Sequence, residues 1–213
     1  METAARAREE EPLALVEALA HELRQPLSAI ESTAYYLTMV LPRGEKRAQE
    51  HASHLRRLIE QANWILSCAL ELADTAPLVM EPIDLEELVT DAVMARTAEG
   101  FDPPQLDLAG GLPLVRLDPS RARHLLQILL AMLARAADAV HPVRVRTSRE
   151  PQGVLLELAV EARCPGPEAC FGAGVNFGIV SVRRIVEAHG GNFGITFDGA
   201  SGVVVRIVLP FAS

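Results

Sequence analysis

The chain has 213 residues, enough for one large domain or two small ones, each with its own core. Its formal net charge of -8 argues against nucleic acid or an anionic membrane as the main partner. Hydrophobic residues make up 49% but aromatics only 4%, so Leu, Val and Ala must do the packing, which suits helix bundles. No apolar run is long enough to span a membrane, and the opening METAARAREEEP is acidic and unlike a signal peptide. A cytoplasmic protein is expected.

From about Leu13 to Leu41 apolar residues recur at Val16, Leu19, Leu23, Leu27, Ile30, Ala34, Leu37 and Leu41. Steps of three and four describe one long helix with a sustained seam. His21 lies off that seam, so the helix presents its imidazole sideways. Pro26 removes a backbone donor and clashes one turn back, which predicts a kink that frees the Glu22 carbonyl. After the breaker Pro42-Arg43-Gly44, a second stripe runs through Leu55, Ile59, Ala62, Leu66, Ala69 and Ala73. The two helices form an antiparallel hairpin, and one hairpin cannot cover both its seams. A homodimer closing a four-helix bundle is the expected solution, with packing on the C-terminal half of the same chain as the alternative.

Thr75-Ala76-Pro77 and Pro82 read as a linker, dividing the chain into residues 1–76 and 77–213. A short strand-like piece and a helix follow in PIDLEELVTDAVMARTA, then short strands in QLDLAGG and PLVRLD around a Gly-Gly turn. Asp118 is set to cap a helix from Pro119 to Val140, with Pro119 at its first position. Strands are expected at Val143–Ser148 and Val154–Ala162, a helix from about Phe177 to His189, and a last hairpin of Asn192–Asp198 with Val203–Pro210. This mixture suits a two-layer α/β sandwich. Cys164 and Cys170 could in principle pair, but free thiols are expected in a reducing compartment, and the three cysteines have no metal-ligand spacing.

Three motifs carry the chemistry: HELRQPL from His21, LLQILLAMLARAADA from Leu125 to Ala139, and SVRRIVEAHGG from Ser181 to Gly191. A neutral imidazole is a good nucleophile near neutral pH, and its phosphoramidate is readily passed on. Glu22 is placed to orient the ring nitrogen that does not react. On these motifs the chain resembles the core of two-component sensor histidine kinases over about residues 11 to 213. The first half resembles the dimerisation and phosphoacceptor domain, and the second a Bergerat-type (GHKL-like) ATP-binding domain. The resemblance implies His21 as phosphoacceptor and Glu22 as its acid–base partner. It puts Gln25 at the position that assists dephosphorylation in some members, where Thr or Asn is more usual. An apolar patch of Leu23, Leu27 and Ile30, with Arg24, would dock a response-regulator receiver.

The second half departs from the family pattern. Ala131 and Arg135 stand where the family has asparagines, the second of which holds magnesium, and a guanidinium cannot ligate a metal. Ala162 replaces the aspartate that reads adenine, next to the remnant Cys164-Pro165-Gly166. The second glycine box reads GVNFGI, with Gly174 and Gly178 retained and Asn176 in place of the middle glycine. Between Pro167 and Gly174 only EACFGA remains of the nucleotide lid. Losing the adenine acceptor and the metal costs on the order of 2–4 kcal/mol each, comparable in sum to the roughly 8 kcal/mol of micromolar binding. The expectation is therefore a degenerate ATPase-like domain with no ATP, magnesium or other metal.

Three functions are weighed. In the first, a histidine phosphotransferase exchanges phosphate between His21 and receiver aspartates without ATP. In the second, an atypical kinase autophosphorylates His21 from ATP. In the third, a dimeric regulator binds a kinase or receiver and moves no phosphate. His51, His54, His124 and His141 have no carboxylate partner at ligand spacing and are given surface or core roles. His189, at a helix C-terminus, is expected as a cationic ring favourable to the dipole. Trp64 is assigned to bundle packing.

Overall fold

The structure is a computed structural model and describes residues 20, 23–25, 27–37, 39–40, 46–98, 101–137, 140–172, 175–198 and 202–212. The chain divides into two compact units, Met1–Thr75 and Ala76–Ser213. In the first unit every described residue from 20 to 40 is helical, and this segment is α1. The second helix, α2, spans Lys46–Ala73. His21, Glu22 and Pro26 lie outside the described residues, and so does any kink at Pro26.

The buried positions of the hairpin are mostly small: Ala20, Ala34, Ala52 and Cys68, together with Ile59. Small side chains at these points let two helix backbones approach closely. Of the seam expected on α1, Ala34 is buried and Leu27 half-buried, while Leu23 and Ile30 are each 42% exposed and Leu37 is 39% exposed. On α2, Ile59 is buried and Leu55, Ala62, Leu66, Ala69 and Ala73 are half-buried. The hairpin thus satisfies one side of its apolar surface and leaves another open.

The second unit begins with β1 (Glu81–Ile83), the short strand expected at Pro82. Helix α3 (Leu85–Ala98) follows, with Asp84 Oδ1 accepting from the Glu86 and Glu87 amides to cap it. Strands β2 (Gln105–Asp107) and β3 (Val115–Leu117) come next, with Gly110 and Gly111 at positive φ between them. They do not pair with each other. β3 runs antiparallel to β1, whereas β2 joins the main sheet.

Helix α4 (Pro119–Ala134) starts on Asp118 as read from sequence, its carboxylate accepting from the Ser120 and Arg121 amides. It stops at Arg135, well short of the Val140 expected. Its buried residues Ala122, Leu125, Leu126, Ile128, Leu129, Leu130, Met132 and Leu133 cover much of its circumference. A helix apolar on so many sides belongs in the middle of a layer. It packs against α3, α6 (Val175–Ala188) and β5 (Gly153–Val160).

The main sheet has the order β2-β4-β5-β7-β6, with β4 at Arg144–Glu150, β6 at Asn192–Asp198 and β7 at Gly202–Leu209. Only β2 with β4 is parallel among these neighbours; the other three pairings are antiparallel. Strand alternation fixes the inner face: Val154, Leu156, Leu158 and Val160 on β5, and Val203, Val205, Ile207 and Leu209 on β7, are all buried. The outer face carries a row of charges in register, Asp107↔Arg146↔Glu157↔Arg206. Arg146 pairs with Asp107 at 3.3 Å, and Arg206 with Glu157 at 2.7 Å. The result is a two-layer α/β sandwich, as the element order implied.

Candidate functional site

His21 and Glu22 are outside the described residues, and the structure describes only what flanks them. One turn on, Arg24 Nη2 donates to Ser67 Oγ on α2 at 3.2 Å, and that hydroxyl donates to the Asn63 carbonyl at 3.0 Å. The relay ties α1 to α2 within one turn of the histidine position. Leu23, Arg24, Gln25 and Ile30 are exposed and Leu27 half-buried, so the residues assigned to docking are accessible in the single chain. His51 and His54 are exposed on α2, as expected, and Trp64 is half-buried there.

The positions matching the nucleotide boxes gather around the α4 C-terminus, the loop after β5 and the start of α6. Ala131 is half-buried on α4 and presents only a methyl group. Arg135 caps the same helix and donates from Nη1 to the Phe171 carbonyl at 2.9 Å. The segment after β5 forms a short helix, α5 (Pro167–Phe171), with Gly166 at its N-cap. Phe171 is 2% exposed and meets the Phe197 ring edge-on at 5.9 Å. Ala162 is half-buried, Asn176 is exposed in the first turn of α6, and Gly178 is buried on α6. Gly174 lies outside the described residues.

Cys164 and Cys170 form a disulfide, with Cα atoms 5.4 Å apart. This corrects the expectation of free thiols. A compartment argument cannot see that α5 turns Cys170 back onto the buried Cys164. Cys68 is buried and is not part of that disulfide. Phe171 was also passed over in the sequence. Its signal was the lone large apolar residue in a stretch of small ones, next to a cysteine.

His189 needs a second correction. It is 4% exposed; its Nε2 accepts from the Asp118 amide at 2.9 Å, and Nδ1 contacts the Ile185 carbonyl at 2.6 Å. A ring accepting at one nitrogen and donating at the other is neutral, not the cation expected of a helix C-terminus. Asp118 also accepts from the Val79 amide at 2.9 Å. Burial pushes the Asp118 carboxyl up, but the amides of Val79, Arg121 and Ser120, with the Arg121 charge, outweigh it and hold it below its usual value. Asp118 and His189 together fasten the α4 N-terminus, the α6 C-terminus and the chain entering β1. They form a structural lock.

The Arg135 guanidinium donates to a backbone carbonyl and Ala162 ends in a methyl group, so neither side chain can ligate a metal or accept a hydrogen bond. Among the described residues no group of three or more His, Cys, Asp or Glu side chains could hold a metal ion.

A helical hairpin followed by an α/β sandwich of this strand order defines a class, the fold of histidine kinase catalytic segments. The chain superposes on full-length ShkA in complex with AMPPNP with a TM-score of 0.62 and 23% identity, covering 94% of this chain and 46% of that one. For Acinetobacter baumannii histidine kinase AdeS the TM-score is 0.56 and the identity 17%, covering 89% of this chain and 98% of that one. No protein-family model matches the chain.

Curated relatives give the more specific result. Sensor histidine kinase ZraS of Escherichia coli is 26% identical over 212 residues, 92% of this chain and 45% of ZraS. Signal transduction histidine-protein kinase AtoS of Escherichia coli is 26% identical over 212 residues, 92% of this chain and 34% of AtoS. The chain therefore spans less than half the length of these relatives. Its homologues are sensor histidine kinases, which supports a two-component histidine kinase catalytic core.

Proposed function

We propose that the chain is a two-component phosphotransfer protein in which His21 exchanges a phosphoryl group with receiver aspartates and takes none from ATP. The observation that supports this reading is Arg135 held on the Phe171 carbonyl, at the position that the resemblance gives to the family's magnesium ligand. Ala162, Asn176 and the short α5 segment add to it. In this reading the receiver's own metal supports the transfer. The imidazole attacks the receiver's acyl phosphate, the phosphoryl group passes to the ring nitrogen, and the aspartate leaves as carboxylate. Glu22 orients the ring, and Gln25 stands one turn on, where it can hold a water for dephosphorylation. Homodimerisation through the hairpin accounts for the exposed Tyr36, Leu37 and Met39 on α1, while Leu23 and Ile30 stay open for the receiver.

A second reading, an ATP-dependent autokinase acting on His21, is favoured by the relatives: ZraS and AtoS are both named as histidine kinases and match over nearly the whole chain. One experiment separates the two. The chain is incubated with labelled magnesium ATP alone and, in parallel, with a labelled phospho-receiver. Label from the receiver that disappears in His21→Ala, with none from ATP, is the expected result. Label from ATP alone, again lost in His21→Ala, overturns the ATP-free reading in favour of the kinase. Receiver binding without label from either source assigns the chain to a non-catalytic regulator.

A further inference from the structure

The segment between β5 and α6 holds chemistry that phosphoryl transfer does not use. Cys164 is fully buried, Cys170 is half-buried, and their disulfide closes a loop only six residues apart in sequence. α5, which starts inside that loop and ends one residue beyond it, has five residues, far too few to hold a helix on propensity alone. Three things keep it in place: the disulfide, the buried Phe171 ring against Phe197, and the bond from Arg135 to the Phe171 carbonyl. The disulfide ties α5 back to the end of β5, and Arg135 ties it to the end of α4.

We propose that Cys164 and Cys170 form a reversible redox site that takes a dithiol reductant and controls whether α5 stays clamped beside Arg135. The half-buried Cys170 is the sulfur a reductant can approach. A thiolate of the reductant attacks Cys170 Sγ, the S–S bond breaks, and the electron pair leaves on Cys164 Sγ, which takes up a proton. The reductant's second thiol then attacks the mixed disulfide and releases Cys170 as a thiol. Two protein thiols and one reductant disulfide result. A small-molecule disulfide such as oxidised glutathione reverses both steps.

The closed loop is short and local, so reduction loosens α5 without touching the β5–β7 and α4–α6 packing. That separates a switch from a staple, whose loss would loosen the whole unit. The inference does not depend on whether the phosphate on His21 comes from a receiver or from ATP.

The test equilibrates the full chain in graded mixtures of reduced and oxidised dithiothreitol. It then counts thiols by maleimide labelling in denaturant and follows amide exchange by mass spectrometry. One labelled thiol is expected in the oxidised chain (Cys68) and three in the reduced chain, with return to one on reoxidation. The amides of Cys170 and Gly172, bonded to the Gly166 and Glu168 carbonyls, should exchange about tenfold faster after reduction while β5 and β7 hold. The double variant Cys164→Ser/Cys170→Ser should reproduce the reduced pattern in any redox mixture. His21→Ala should keep the transition, so this result and the fate of the phosphotransfer reading are scored separately. Three labelled thiols in the oxidised chain, or equal exchange at residues 166–172 in both states, would overturn the proposal, as would loosening of β5 and β7 together with α5.

Discussion

At the scale of single residues, the lock made by Asp118 and His189 is the feature most open to measurement. Asp118→Ala removes the cap of α4 and a partner of the Val79 amide, and should lower stability by about 1–2 kcal/mol in denaturant unfolding at neutral pH. Because the folded state holds this carboxyl below its usual value, its stabilisation is complete above the ordinary Asp range. It is lost as pH falls through the lowered value. Asp118→Asn should therefore flatten the acid limb of the stability curve while leaving neutral stability closer to wild type than Ala does. His189→Leu leaves the Asp118 amide buried without its acceptor and should cost about 1–3 kcal/mol. Sequence showed half of this lock. The Asp118-Pro119 cap is local and legible, whereas the tie from His189 to the Asp118 amide spans 71 positions and leaves no sign in composition or period.

At the scale of elements, the hairpin and α5 behave differently under perturbation. Ala34 is wholly buried, and Ala34→Leu should push the helices apart and cost about 1–3 kcal/mol, read as a lower midpoint for the first unit. For α5, reducing the disulfide should lower its local opening free energy by about 1.4 kcal/mol, the equivalent of tenfold faster amide exchange, and leave the unfolding midpoint of the second unit in place, with no redox response in Cys164→Ser/Cys170→Ser. Element existence was widely legible, since α2, α3, α6 and the hairpin of β6 with β7 all announce themselves by period and by Gly or Pro at their ends. Strand partners were less so. The Gly-Gly turn between β2 and β3 looks like a hairpin, but the two strands pair elsewhere, β2 with the longer β4 and β3 with the equally short β1. The α4 end at Arg135 was also misplaced, since the apolar period runs on past the residue whose side chain turns away to bond Phe171.

At the scale of the whole chain, the second unit keeps the fold of histidine kinase catalytic segments. Strand order and core packing depend on inward-facing apolar residues spread along β5, β7, α4 and α6. Arg135 and Ala162 lie outside that core, at the α4 C-terminus and in the segment after β5, so the match to the fold of full-length ShkA does not depend on what stands at those two positions. The charge row on the open face of the sheet adds one consequence for assembly. Sliding β7 past β5 by two residues would set Glu157 opposite Val204 or Val208 and strand Arg206 against an aliphatic neighbour, while sliding by one would drive Arg206 inward. The ionic row therefore works as a vernier for the folding chain, penalising misaligned sheets that apolar packing alone would tolerate.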